Sequence, residues 1–229
     1  MNNLKENLDI VSSRLERACE ASGRESNSVD LLAVSKRHSP DKIRNLHELG
    51  QRAFGENLLA EALGKQQELR DLDIEWHFIG SIQSNKTRDI AAGFDWVQSA
   101  DRLKILKRLS DQRPAQLPPL NVCLQVNIDR EHQKGGCQPE ETMALAEEAS
   151  RLAGIRLRGL MAIPQFHSDT GGAALESFAR LKTLFEECRQ HGFEFDTLSM
   201  GMSADLEQAV AAGSTMVRIG TDLFGQRPQ

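Results

Sequence analysis

Lys36 closes the apolar run LLAVS and is the first residue of this sequence placed to do chemistry. A lysine at the end of a buried strand is partly desolvated, which favours its neutral amine. A neutral amine attacks aldehydes, and imine-forming lysines are made in this way. The plainer alternative is a lysine paired with a carboxylate such as Glu56, and position alone leaves that alternative ahead. Two other segments change the balance. SMGMSADLE (199–207) puts small residues and free backbone N–H groups before a helix, where N–H groups and the helix dipole attract anions. VRIGT (217–221) adds Arg218, Gly220 and Thr221. Taken singly, Ser203 is an N-cap and Gly201 and Gly220 are turn residues. Taken together they read as a phosphate site. No Gly-x-Gly-x-x-Gly or Walker-type loop is present, so a small phosphate monoester fits better than a nucleotide. His77 alone reads as a satisfied core histidine. Met200 and Met202 could contact a ring, with core packing the default.

These residues fall at regular intervals along the chain. Leu4, Leu8, Val11, Leu15 and Cys19 have helical spacing, and Gly23 stands at the stop. Eight short apolar segments follow: 29–36, 53–57, 75–80, 95–100, 121–128, 157–163, 197–201 and 215–220. Helical stretches separate them: from Pro40 to Gly50, to about Arg70, Ser84 to Ala92, Asp101 to Gln112, Pro139 to Ala153, 174–188, and Ser203 to Ala212. Alternating strands and helices imply a parallel sheet. Eight units in about 200 residues predict an α/β fold, a single (β/α)8 TIM barrel with an extra N-terminal helix. An open doubly wound sheet is the alternative. The connection 164–173 is the longest loop, and the whole chain, 1–229, reads as one domain. In such barrels the site lies at the C-terminal strand ends, with phosphate held after strands 7 and 8. Strand ends here carry Lys36, Asn57, His77 with Gly80 and Ser81, Gln98 with Ser99, Asn127, Pro164, Ser199, and Arg218 with Gly220. Trp76 and Phe78 should point outward by alternation.

The net charge of −5 argues against a broad attraction to nucleic acid or an anionic membrane. Cys19, Cys123, Cys137 and Cys188 share no metal or redox spacing and read as free thiols. The histidines form no zinc-type pair. The N-terminus is unlike a signal peptide, and no stretch approaches the roughly 20 apolar residues of a membrane span. A cytoplasmic protein is expected.

A phosphate site opposite an imine-capable lysine suggests pyridoxal 5′-phosphate (PLP); it equally suggests a lysine-dependent aldolase acting on sugar phosphates. Longer motifs separate the two. AVSK around Lys36, FGEN at 54–57, EWHFIGSIQSNK at 75–86, RGLMAI at 158–163, LSMGMS at 198–203 and VRIGTDLFG at 217–225 closely resemble the pyridoxal phosphate homeostasis protein family. The resemblance runs in order over nearly the whole chain, and that family is similar in fold to the N-terminal barrel of alanine racemase. It implies PLP in imine linkage to Lys36, with phosphate contacts from Ser199, Gly201, Ser203, Gly220 and Thr221. Arg218 matches the arginine that faces the cofactor, at the pyridine nitrogen or at the phosphate. Asn57 and His77 match residues lining the cofactor pocket. Ile82 departs from a common leucine, and Ala204 from a common acidic residue.

The racemase mechanism sets a lysine on one face of the cofactor and a tyrosine, from a second domain of the partner subunit, on the other. This sequence has no tyrosine and ends at Gln229, soon after the eighth strand. Two-faced proton transfer then lacks its second acid/base. The expectation is a non-enzymatic PLP carrier, a monomer, that buffers the cofactor and passes it to apo-enzymes. A PLP-dependent enzyme with weak racemase-type activity is the alternative.

Overall fold

The computed structural model describes residues 2–164 and 171–226. An N-terminal helix α1 (Asn2–Ala21) precedes eight strand–helix units. These are β1 (Asp30–Val34), α2 (Pro40–Glu48), β2 (Ala53–Glu56), α3 (Leu59–Glu68), β3 (Glu75–Phe78), α4 (Thr87–Gly93), β4 (Trp96–Ala100), α5 (Leu103–Gln112), β5 (Leu120–Gln125), α6 (Thr142–Ser150), β6 (Ile155–Met161), α7 (Gly171–Gln190), β7 (Thr197–Ser199), α8 (Leu206–Ala211), β8 (Met216–Ile219) and α9 (Thr221–Phe224). The strands form one closed parallel barrel in sequence order. Closure is made by β1 against β8, with Leu32 opposite Arg218 and Ala33 opposite Ile219. The barrel is the expected one, and the open sheet is excluded.

Strand alternation sorts the side chains into two layers. Outward residues such as Phe54, Trp76 and Phe78 join the main apolar layer beneath the helices, with Phe78 edge-on to Phe94. Trp96, Cys123 and Met161 form a separate apolar cluster, among inward polar residues. The four cysteines are free and buried, and burial pushes the Cys123 thiol up to about 12. Helix α1 lies across α8, α9 and α2. Among the described residues no helix is long and apolar enough to cross a membrane.

Several helix ends differ from the sequence expectation. Pro139–Glu141 and Ser84–Lys86 are 3₁₀ turns, so α6 and α4 start three residues late. Asp205, not Ser203, precedes α8, because the Asp205 carboxylate turns back to accept the Met202 N–H at 2.6 Å. The short helix α9 has no counterpart among the expected helical stretches. In α7, Phe178, Leu181, Phe185 and Cys188 are buried while Leu175 faces out. The expected loop 164–173 falls mostly on 165–170, outside the described residues; α7 already begins at Gly171.

Candidate cofactor site

A cavity of about 410 Å³ opens where β1, β2, β3, β6 and β8 end. Its wall includes Lys36, Asn57, Ser81, Ser203, Arg218, Gly220 and Thr221. Val34, Ile79, Met161, Ile163 and Met202 supply the apolar surface. Among the described lining residues there are two basic side chains, Lys36 and Arg218, and no carboxylate, histidine or cysteine. That donor set suits a small anion carrying a flat apolar body and an electrophilic carbon.

Lys36 is partly buried, on the turn that follows β1. Both its neighbours are anchored. Ser35 Oγ donates to Glu56 Oε1 at 2.6 Å, and the Arg37 N–H donates to Glu61 Oε1 at 2.6 Å, with Arg37 left-handed at φ 64°. A third residue ties these points together: Lys65 Nζ donates to the Ser35 carbonyl (2.8 Å), to Glu56 Oε1 (2.6 Å) and to Glu61 Oε1 (2.6 Å). Glu56 is fully buried and Lys65 nearly so. Burial pushes the Glu56 carboxyl above its ordinary value, and the bonds from Lys65 and Ser35 oppose that shift. So the carboxylate weighed as a partner for Lys36 is engaged by Lys65, a residue to which sequence reasoning gives no role.

Two glycines let the walls close. A Cβ on Gly80 would sit 2.1 Å from the Asn57 carbonyl, so the β2 and β3 ends approach here only without a side chain. Gly201 has φ +98°, and a Cβ there would strike Ala209 of α8 at 2.5 Å. Gly201 therefore shapes the loop after β7 without itself lining the cavity, whereas Ser203 does line it. Thr221 opens α9, whose first N–H groups have no partners within the helix. Both loops are held from outside by Arg14 of α1. Its guanidinium donates to the Ser203 carbonyl (3.0 Å), to Glu207 (2.8 and 3.0 Å) and to Asp222 (2.6 Å). These contacts are partly exposed and worth about 1 kcal/mol of stability together, and Arg14→Ala should also weaken anion retention about fivefold as the two loops loosen. Equilibrium dialysis of the wild type and the variant against PLP checks this.

Arg218 is buried. Its Nη1 donates to Ser199 Oγ (2.7 Å) and its Nη2 to the Ala162 carbonyl (2.8 Å). Among the described residues it has no ion pair, and burial lowers its pKa to about 10, leaving it cationic near neutrality. Ser199, expected as a phosphate contact, and His77, expected among the residues lining the cofactor pocket, do not line this cavity. Ser199 lies between Arg218 and Gln98, and His77 lies between Gln98 and Glu75, because inward strand positions below the mouth face each other and not the solvent. Asn57, Lys36, Ser203, Gly220 and Thr221 line the cavity. Met202 lines it while Met200 is core. Met161 also lines it, and nothing in RGLMAI separates such an inward residue from an outward one.

Residues 3–228 match the family model "Alanine racemase, N-terminal domain". A Pyridoxal phosphate homeostasis protein of Pseudomonas aeruginosa is 55% identical over 99% of this chain and 97% of its own length. The protein of the same name from Escherichia coli K12 is 45% identical over 99% and 98%. Among solved structures, PipY of Synechococcus elongatus with PLP bound superposes with a TM-score of 0.85 at 36% identity, covering 97% of this chain and all of PipY. Alanine racemase of Clostridium difficile shares the fold alone, with a TM-score of 0.80 at 15% identity, covering all of this chain and 58% of that one. With the barrel, the lysine turn and these relatives in agreement, the chain belongs to the pyridoxal phosphate homeostasis protein family.

Proposed function

We propose that this protein binds PLP reversibly, buffers it and delivers it, without catalytic turnover. The observation that carries the reading is a cavity with Lys36 and Arg218 as its two basic side chains and no carboxylate among its described lining residues. When bound, PLP supplies an aldehyde carbon that an amine can capture and later release. Lys36 is the amine at this site. Ser203, Gly220 and Thr221 are placed to hold the phosphate, with Ser199 and Gly201 acting from behind. Met161, Met202 and Ile79 offer apolar contact to a flat ring, and Asn57 a polar edge. Arg218 supplies positive charge beneath. Relatives named for PLP homeostasis and the PLP-bound PipY support the assignment.

Weak racemase-type activity is the competing reading. It needs a second acid/base across the ring from Lys36. The sequence has no tyrosine, and the described lining holds no histidine, cysteine or carboxylate to act in its place, which favours the carrier. The same proposal takes residues 1–229 as one cofactor-binding domain acting as a monomer in the cytoplasm, with apo-PLP enzymes as recipients.

Mixing the loaded protein with an apo-PLP enzyme tests it. Reactivation should proceed as fast as with free PLP or faster, and loss of optical activity from L-amino acids should stay at background. Sustained racemisation at rates typical of enzymes would overturn the carrier reading. Ser203→Ala combined with Thr221→Ala removes two hydroxyl contacts and should weaken PLP retention by about tenfold or more. Dialysis reads the loss, and unchanged retention would place the phosphate elsewhere.

A further inference from the structure

The hydrogen bonds below the cavity all run one way. Arginine only donates, so Ser199 Oγ accepts from Arg218 and passes its own proton to Gln98 Oε1 at 2.7 Å. That orients the Gln98 amide. Its Nε2 faces His77 Nδ1 at 2.9 Å and Met216 Sδ at 3.1 Å. An amide nitrogen donates, so His77 Nδ1 accepts. The ring proton then sits on Nε2, 2.8 Å from Glu75 Oε1. The chain crosses the barrel interior from the cavity to a half-exposed carboxylate at its base. Packing holds the histidine in place: its ring stacks on Trp96 at 5.2 Å and 8°. The Arg158 guanidinium also sits over the Trp96 ring, at 4.6 Å, and pairs with Asp196.

Arg218 needs such support. Its hydrogen bonds go only to neutral acceptors, and Asp205 acts on its charge without a hydrogen bond to it. Two of its N–H groups are committed to Ser199 and Ala162, and the residue also reaches the cavity wall. We propose that His77 and Gln98 are positioning residues: through Ser199 they hold the Arg218 guanidinium toward the bound cofactor. This rests on the PLP reading above. The charged groups facing His77 are Glu75 on its own strand, Asp30 of β1, Asp95 before β4 and, beyond Trp96, Arg158 of β6.

The test is a pH titration of the visible absorption of the PLP-loaded protein, for the wild type, His77→Phe and Gln98→Met. His77→Phe keeps the stack on Trp96 and removes both ring hydrogen bonds. Gln98→Met is close in volume and apolar. A fixed cation disfavours a proton on the Lys36–cofactor nitrogen, so a loosened cation disfavours it less. Both variants should therefore lose that proton at a pH higher by about half a unit or more. PLP retention should fall about threefold or more. Thermal midpoints of the PLP-free proteins, measured in parallel, report stability alone. A lower thermal midpoint with an unmoved titration would make the pair merely structural and overturn the inference. If His77→Phe does not fold, Gln98→Met decides by the same criterion. A wild type that takes up no PLP would overturn the function reading and this inference together. A PLP-coloured wild type with unmoved variants would overturn the inference alone.

Discussion

Replacing Lys36 by alanine should give a folded, colourless protein that holds PLP at least about 100-fold more weakly, a loss of about 2.7 kcal/mol or more. Lys36 lies partly exposed on a turn, outside the apolar core, so the barrel should lose little. The surrounding cavity persists, and the remaining affinity is that of the hydroxyls, Arg218 and the apolar wall. Lys36→Arg separates charge from chemistry. A guanidinium keeps the cation but stays protonated, so it cannot capture an aldehyde. It should retain PLP better than alanine yet show no imine absorption. The wild type should also gain thermal stability with added PLP, since a ligand bound only by the folded state stabilises it by mass action. Both variants should lose most of that gain. An unchanged imine spectrum in Lys36→Ala would assign the linkage to another amine.

Lys65→Met should be the most destabilising single change near the site. It leaves the Glu56 carboxyl buried without the ammonium that offsets its burial, a situation that costs about 3–5 kcal/mol. For a barrel of this size the thermal midpoint should fall by roughly 10 °C. Ser35 and Arg37 would also lose their shared anchor, so the Lys36 turn should loosen and PLP retention should weaken with stability. Lys65→Met combined with Glu56→Leu removes both charges and should recover much of the loss, because a buried pair replaced by apolar residues is often close to neutral. Thermal unfolding of the two single variants and the double variant closes the cycle. Additive losses would mean that the Lys65–Glu56 pair is not the coupling element.

The barrel is legible in the sequence because apolar segments recur between helical stretches, and LLAVSK ends on a lysine at the first strand's C-terminal end. Lys65 is not. In LAEALGKQQE it resembles any solvated lysine, and only Glu56, on the outward face of β2 beneath α3, draws it into the core. By its spacing alone, the loop after β7 opens directly into a helix at Ser203. The structure inserts a turn capped by Asp205, since a carboxylate that reaches back to an N–H ends helical geometry there. His77 illustrates a different limit. Resemblance puts it at the mouth, and by itself it reads as a satisfied core histidine. Its hydrogen bonds to Gln98 and Glu75 agree with the second description and give it a connection to Arg218 that no spacing rule contains.

The central claim is that Lys36 is the amine that holds PLP. Borohydride reduction of the loaded wild-type protein, followed by proteolysis and mass spectrometry, tests it most directly. The account predicts a phosphopyridoxyl group fixed on the peptide that contains Lys36, in near-stoichiometric yield. A group fixed instead on Lys65, Lys134 or another lysine, or none fixed on a protein that still binds PLP, would contradict it.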